Sequence, residues 1–435
     1  MSSLPADTAP SRAGLMPFFA EAAFAALLLL AFIGFTPFAP RTPQLLALGE
    51  NGISGAGDAA RQVAYLLVFT AIVMSAIAQR GFRAFANLPL AFAILLIWCV
   101  ASAAWSLQPE VTLRRAGLEI VVVLSALLSV ETLGTEKALR ILRYVLAFVL
   151  LVNWISIPLT ARAIHQPGEI DPSVVGDWRG LYFHKNIAGG VCAISAMVFL
   201  FFAMARKSLI DIALFLGALG FLVMTHSKSS LGMLPVALLA GAIYRYAWQR
   251  KLDRSIVVIA FALLCAIAAA AFYLDADTIA RVLEDPAQFT GRTAIWQAEV
   301  NFIRDHALLG SGFGSFSDTG AASPLHNYVG GGWVETAAHG HNAYLQLLVT
   351  IGGIGFALAM LNFIVLPAIS LWRASPAQLE LYSLLFAIFV FTLLHNILES
   401  DFLEGDGPVW VVFVLMIAML RIPRSQSQAV SWPIS

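Results

Sequence analysis

The sequence predicts an all-α polytopic membrane protein with about twelve transmembrane helices and one long loop that contains short amphipathic helices. Of its 435 residues, 59% are hydrophobic and only 12% are charged, and the mean hydropathy is +0.81. Soluble domains carry roughly 25% charged residues. The apolar residues also fall into blocks long enough to cross a bilayer, which takes about 20 residues.

Twelve apolar blocks are predicted to span the membrane, within one membrane domain at 17–421. Polar segments flank this domain at 1–16 and 422–435. The predicted spans are 17–39, 61–79, 84–105, 116–134, 138–160, 186–205, 208–224, 230–247, 255–274, 342–371, 380–398 and 407–421. Because the number of spans is even, both termini are expected on the same side.

The distribution of basic residues predicts which side each loop faces. If both termini are cytoplasmic, 15 of the 26 Lys and Arg residues fall on the inner side, as the positive-inside rule predicts. All eight His residues then map to the outer side. We therefore expect the chemistry on the outer face, where no ATP is available. The net charge is zero and no basic run is present, so a nucleic-acid partner is not expected.

The predicted outer loop at 275–341 is the only long polar stretch, and three motifs lie in it or at its end. They are Phe289–Trp296 (FTGRTAIW), Gly310–Phe316 (GSGFGSF) and His339–Leu345 (HGHNAYL). A lone polar insertion rich in Arg, His and Gly is where a membrane enzyme is expected to hold its catalytic groups.

Residues 291–306 of this loop are predicted to form an amphipathic helix. Ile295, Ala298, Phe302 and Ile303 fall on one face at helical spacing. Such a helix can lie in the plane of the membrane interface.

Arg292 and Trp296 are four positions apart, so they share a face of this helix. A guanidinium offers a planar fork of donors that suits phosphate oxygens, and Trp prefers the headgroup level. The pair is typical of a clamp for a lipid-linked phosphate, and equally of a simple interfacial anchor. The glycines of Gly310–Phe316 are able to bring backbone N–H groups to an anion, but a plain Gly-rich bend is favoured.

His341 lies at the predicted start of the tenth span. The positive end of a helix dipole disfavours imidazolium, and a neutral imidazole can accept a proton from an attacking hydroxyl. His339 and Asn342 are placed to orient the ring or an acceptor. A hydrated helix cap is the alternative, but two His residues near an Arg favour a functional role.

Four other segments are predicted at the same outer level. Trp105–Arg115, Gly180–Gly189 and Thr225–Ser230 each bring a cation, and each alone is typical of a snorkelling side chain. The acidic residues of Glu399–Asp406 are expected to form a solvated loop rather than a site for a divalent cation.

The three loop motifs, in this order before a late span, resemble those of the O-antigen ligase and polysaccharide polymerase superfamily. The shared patterns are Gly-Arg-x-x-Ile-Trp, Gly-x-Gly-x-Gly-Ser-Phe and His-x-His-Asn-x-Tyr-Leu-Gln, densest over residues 289–353. The resemblance implies a bacterial inner-membrane glycosyltransferase with cytoplasmic termini and a periplasmic active site. It further implies transfer of a glycan from undecaprenyl diphosphate to an acceptor glycan or glycolipid, with inversion, without a cofactor and without a metal.

The resemblance also implies roles for individual residues. Arg292 matches the Arg that holds the diphosphate, and His341 matches the His that deprotonates the acceptor or assists the leaving group. Further candidates for binding the diphosphate or the acceptor are Arg114, Arg115, His184, Lys185, Asn186, Trp296, His339 and Asn342. Besides the lipid bilayer, a chain-length regulator and export machinery are implied as partners.

Two activities stay open within this superfamily. A polymerase passes the glycan to another lipid-linked repeat unit, whereas a ligase passes it to a lipid A core. Phe183–Asn186 (FHKN) resembles the exopolysaccharide polymerase branch, whereas ligases more often read His-Pro-Asn, so a polymerase is favoured. The rival from another class is a lipid-linked sugar flippase, which needs polar groups at mid-depth. The predicted spans are nearly free of charge, with Glu21 and Glu119 as exceptions close to predicted span ends.

Overall fold

A computed structural model gives the structure of the protein and describes residues 12–34, 37, 58–169, 172–250, 292–317, 319, 323–328, 340–374 and 378–421. Within these ranges every element longer than an isolated bridge is helical. The α-helices are α1 Arg12–Ile33, α2 Ala59–Arg80, α3 Leu90–Ala101, α4 Pro109–Leu133, α5 Thr135–Leu159, α6 Lys185–Arg206, α7 Leu209–Met224, α8 Lys228–Gln249, α9 Arg292–Asp305, α10 Ala343–Met360, α11 Leu366–Trp372, α12 Leu379–His395 and α13 Pro408–Arg421.

The helices confirm a multi-pass membrane protein. Among the described residues, six helical segments are long and apolar enough to cross a bilayer, and further apolar helices are shorter. The six are Ala59–Phe85, Pro109–Leu133, Thr135–Leu159, Lys185–Arg206, Lys228–Gln249 and Ala343–Trp372. The ninth predicted span, 255–274, lies outside the described residues, as do the predicted tail and most of the predicted head.

Two helices begin at least five residues before the predicted spans to which they correspond. α1 begins at Arg12, and α4 begins at Pro109 rather than at 116. Proline is favoured in the first turn because its missing N–H has no partner to lose there, and Glu110 complements the helix dipole. As a result Glu119 is not close to the end of α4. It is fully buried and accepts hydrogen bonds from Trp410 Nε1 at 2.7 Å and from Gly405 N at 2.9 Å.

Helix α6 lies at the centre of the bundle. Its most apolar stretch is 83% buried, against 22% for α2. The first half of α6 is rich in Gly, Ala, Ser and Cys, and small residues allow membrane helices to approach closely. A Cβ at Gly189 would overlap the side chain of Ser227, so this glycine permits the start of α8 to approach α6.

Helix α10 is broken near its middle. Gly352 has φ +65°, a conformation that glycine adopts without steric cost. Val349 and Thr350 at the break accept hydrogen bonds from the backbone N–H groups of Ser311 and Gly312, at 2.8 and 2.9 Å. Irregular backbone is tolerated inside a membrane only where the protein supplies such partners.

The predicted amphipathic helix is confirmed as α9, and it is joined to α10 through this break. Ala298 and Phe302 are buried and pack with Phe316 and Val349. The segment after α9 fills the break in α10, and Gly353 N also donates to Ala307 O at 2.8 Å. The packing and the backbone bonds therefore fix α9, which begins with Arg292, against the helix that His341 precedes.

Candidate active site

The candidate site lies at the end of the bundle where the first residues of α6, α8 and α10 meet the last residues of α12. Glu399, just after α12, is at its centre and is 6% exposed. Its Oε1 accepts hydrogen bonds from Asn186 Nδ2 at 2.8 Å and from Ser229 Oγ at 3.3 Å. Its two oxygens also contact Arg292 and His341, so one carboxylate joins residues from three helices and a loop.

Arg292 reaches this carboxylate from the first position of α9. Its Nη2 lies 3.3 Å from Glu399 Oε1, and its Nη1 donates to the carbonyl of Leu398. The side chain of Arg292 is 14% exposed. The guanidinium is therefore held by one carbonyl and one long ion-pair contact rather than by a matched pair of oxygens.

His341 lies opposite Arg292 across the same carboxylate. Its Nδ1 is 3.2 Å from Glu399 Oε2, and its backbone has a positive φ of 52°. Burial and the positive charge of Arg292 lower the pKa of His341 to about 3. The ring is thus neutral near pH 7. If Nδ1–H donates to the carboxylate, Nε2 is the nitrogen whose lone pair can accept a proton.

The position of His341 is set by the docking of α10 onto the end of α12. Asn342 caps α10, because its Oδ1 accepts from Leu345 N at 3.1 Å, and its Nδ2 donates to Ile397 O at 3.1 Å. Ala343 N donates to the carbonyls of Asn396 and Glu399, each at 3.0 Å. The first backbone N–H groups of a helix have no partner within the helix. At the start of α10 one of them bonds to the segment after α12 and holds His341 beside the carboxylate.

Two predicted binding residues flank this cluster at the start of α6 rather than joining it directly. Nζ of Lys185 pairs with Asp177 Oδ2 at 2.5 Å, and His226 Nδ1 contacts the other oxygen of Asp177 at 2.6 Å. His184 caps α6 by accepting from Asn186 N at 3.2 Å. Asn186, the third residue predicted here, donates to Glu399 Oε1.

Arg115 and the Gly-rich stretch form a separate contact. Arg115 Nη1 donates to the carbonyl of Gly314, and Arg114 is half-buried next to it on α4. The N–H groups of Ser311 and Gly312 are used by α10. The favoured reading of this stretch as a bend is thus confirmed, and at these two residues the backbone amides bind α10 rather than an anion.

Trp296 and Glu299 follow Arg292 on the same side of α9. Trp296 Nε1 donates to Gly340 O at 2.7 Å. Glu299 is fully buried against Gly340, and neither of its carboxylate oxygens has a hydrogen-bond partner among the described residues. Burial raises the pKa of Glu299 to about 8. His339, predicted to orient the ring, lies outside the described residues.

The acidic segment after α12 is not the solvated loop that its composition predicts. Glu399 is buried, Asp401 Oδ2 lies 2.7 Å from His395 Nδ1, and Asp406 pairs with Arg61. Only Glu404 of the four acidic residues is exposed. The four carboxylates look alike in sequence because Glu399 and Asp406 owe their environments to Arg292 and Arg61, which are far away along the chain.

The segment that contains both Arg292 and His341 also matches a known family. Residues 212–360 match the sequence model of the O-antigen ligase family. The predicted resemblance is confirmed. The match covers about a third of the chain, from α7 to the end of α10, and leaves Asn186 and Glu399 outside it. It supports a ligase- or polymerase-type function in glycan assembly, with a lipid-linked donor and an acceptor. No curated protein matches the chain.

Proposed function

We propose that the protein is an inner-membrane glycosyltransferase that polymerises repeat units of an exopolysaccharide or O-antigen-type glycan. The donor would be an undecaprenyl-diphosphate-linked oligosaccharide, bound at the periplasmic face, with both termini of the protein in the cytoplasm. The observation that supports this most directly is the shared cluster of Arg292, His341 and Glu399 at one end of the bundle, with the first two inside the family match.

Arg292 would bind the diphosphate of the donor. A fixed guanidinium in a site screened from water stabilises negative charge as it develops on a leaving group. Its Nη2 contact to Glu399 is 3.3 Å long, so a diphosphate oxygen with better geometry is able to replace it. Trp296, four residues on, would lie at the level of the lipid headgroups.

His341 would accept the proton of the attacking hydroxyl. In the proposed step, the acceptor oxygen forms a bond to the anomeric carbon of the donor and its proton passes to Nε2 of His341. The bond between the anomeric carbon and the diphosphate oxygen breaks, and its electron pair leaves on undecaprenyl diphosphate. Attack opposite the leaving group inverts the anomeric carbon, and the step needs no metal or cofactor.

A ligase is the second candidate, because the family match carries that description. A deletion strain separates the two activities by gel analysis of its surface glycans. Single repeat units are expected after loss of a polymerase, and unattached full-length chains after loss of a ligase. Unchanged glycans together with a normal pool of lipid-linked donor would contradict both.

A further inference from the structure

One carboxylate joins the two groups that the proposed reaction assigns to different substrates. Glu399 Oε1 contacts Arg292, the proposed donor ligand, and Oε2 contacts His341, the proposed base for the acceptor. The side chains of Glu399, Arg292 and His341 are 8%, 14% and 24% exposed. Charges this far from solvent are weakly screened, so a change at one partner acts on the other.

Without a donor, Arg292 and Glu399 have opposite effects on the proton affinity of His341. The positive charge of Arg292 disfavours a proton on His341, whereas the carboxylate 3.2 Å from Nδ1 favours it. Because Arg292 holds the same carboxylate, the carboxylate acts on the ring at reduced strength. His341 is then neutral, but it is also a weak proton acceptor.

A bound donor would change this balance through Arg292. A diphosphate that is substituted at both ends is fully ionised near neutral pH, so it neutralises the guanidinium. Asn186 and Ser229 would still hold Glu399 in place through its Oε1. The carboxylate would then act on the ring without opposition.

We infer that Glu399 is a positioning residue that couples donor binding at Arg292 to the basicity of His341. This inference rests on the proposed function and adds an order to it: the acceptor hydroxyl is deprotonated efficiently only after a leaving group is in place. The donor therefore binds first, and His341 becomes a competent base as a consequence.

Other titratable groups lie around this cluster in the described residues. His395 at the end of α12 pairs with Asp401 at 2.7 Å and contacts Ser230 Oγ at 3.1 Å. Glu299 lies against Gly340, next to His341, and Lys185 pairs with Asp177. None of these groups bridges Arg292 and His341, so none of them links His341 to the donor.

The test measures the affinity of full-length protein in lipid nanodiscs for a synthetic probe that carries farnesyl and glucosyl groups on the two phosphates of one diphosphate. If binding raises the proton affinity of His341, reciprocity requires that protonation tighten binding of the probe. Wild-type protein is expected to bind about tenfold more tightly at pH 5 than at pH 8. A change of that size requires that donor binding raise the pKa of His341 from about 3 to about one unit above pH 5.

Glu399→Gln should change the affinity for the probe and the pH dependence of that affinity in different ways. We expect tighter binding than wild type at pH 8, because Arg292 loses its competing carboxylate. We also expect a weaker pH dependence of binding, because only the direct effect of Arg292 on His341 remains, and slower glycan transfer. Damage to the fold would instead weaken binding. Ser229→Ala is the matched control, because it removes another 3.3 Å contact of the same oxygen without changing charge. It should keep the pH dependence.

The possible outcomes distinguish failure of the inferred coupling from failure of the proposed function. If Glu399→Gln keeps the tenfold pH dependence, or binds the probe more weakly at pH 8, the coupling is wrong and the proposed function stands. If Glu399→Gln does not fold, Glu399→Asp retains the charge and must retain the pH dependence, while His341→Gln must abolish it. Failure of the wild type to bind the probe at either pH would overturn the donor site and the coupling together.

Discussion

Two buried arginine–carboxylate pairs lie at opposite ends of the bundle and are built differently. Arg143 on α5 grips Asp211 on α7 with two contacts, Nε to Oδ1 at 2.5 Å and Nη2 to Oδ2 at 3.0 Å. Its guanidinium also lies over the rings of Tyr144 and Phe202. Among the described residues Arg292 has no such matched pair of oxygens, because Glu399 gives it one oxygen at 3.3 Å and gives the other to His341.

The difference separates an ion pair that holds helices together from one that is able to exchange partners. A bidentate guanidinium–carboxylate pair is geometrically satisfied, and breaking it leaves an uncompensated buried charge. The Arg292 pair is divided, so an incoming anion would lose less by replacing its carboxylate. We therefore expect substitutions at the two arginines to act on different quantities.

The largest effect is expected for Arg292→Ala. Glycan transfer with a lipid-linked donor should fall by at least about 10²-fold, because one donor aimed at developing charge contributes that much. Insertion and thermal stability should change little. Normal polysaccharide in cells that carry only this variant would show that Arg292, like Arg143, has no role in glycan transfer.

His341→Ala is expected to lower turnover by roughly 10²-fold, the lower end of the usual contribution of a general base. Donor affinity should change far less, because the donor is assigned to Arg292. Single-turnover rates and donor binding measured on the same purified protein check this, and a nearly unchanged rate would remove His341 from the reaction.

Arg143→Leu should act on stability instead of chemistry, with a loss of roughly 3 kcal/mol from the isolated charge of Asp211. The double variant Arg143→Leu with Asp211→Leu should recover most of that loss, because neither charge is left alone. Thermal unfolding of all three proteins in one detergent measures the recovery. A double variant no more stable than the single one would show that this pair is not a closed structural contact.

The pH dependence of kcat/KM for the donor should be flat between pH 8 and pH 5. This quantity reports the free enzyme, in which the pKa of His341 is lowered to about 3, so the ring stays in its neutral, proton-accepting form throughout. A fall centred near pH 6.5 would mean that the ring is solvated like an ordinary histidine.

Glu299→Gln is expected to give the smallest effect, a rise of a few degrees in melting temperature at pH 8. Burial raises the pKa of Glu299 from 4.5, the ordinary value of a Glu side chain, to about 8 in the folded protein, so the folded state binds the extra proton. The stability from this group is present below pH 4.5 and is lost as the pH rises towards 8. The gap between variant and wild type should therefore close at pH 5, and an equal gap at both pH values would refute the assignment.

The sequence predicted those parts of the site that local patterns encode. Helix α9 follows from the spacing of Ile295, Ala298 and Phe302. Arg292 and His341 were proposed as site residues because their motifs lie at the start of a predicted helix and of a predicted span. Glu399 was missed because three neighbouring acidic residues gave it an ordinary surface context. Its burial depends on α6, α8, α9 and α10 meeting at one point, which no local pattern reports.

The early start of α4 could have been predicted from the sequence, because Pro109 and Glu110 are residues that favour the start of a helix. The pairing of Lys185 with Asp177 was not, since it depends on how the segment between α5 and α6 folds back. Charge and hydropathy thus indicated which end of the bundle holds the chemistry, but not which cations already have partners there.

The break at Gly352 limits which substitutions the protein can accept during evolution. A Cβ at this position would overlap the carbonyl of Leu308, in the segment that follows α9. Any replacement would push the α9 segment and α10 apart, and with them the groups that face each other across Glu399. The absence of a side chain at Gly352 therefore sets the distance between helices that carry a candidate site several turns away.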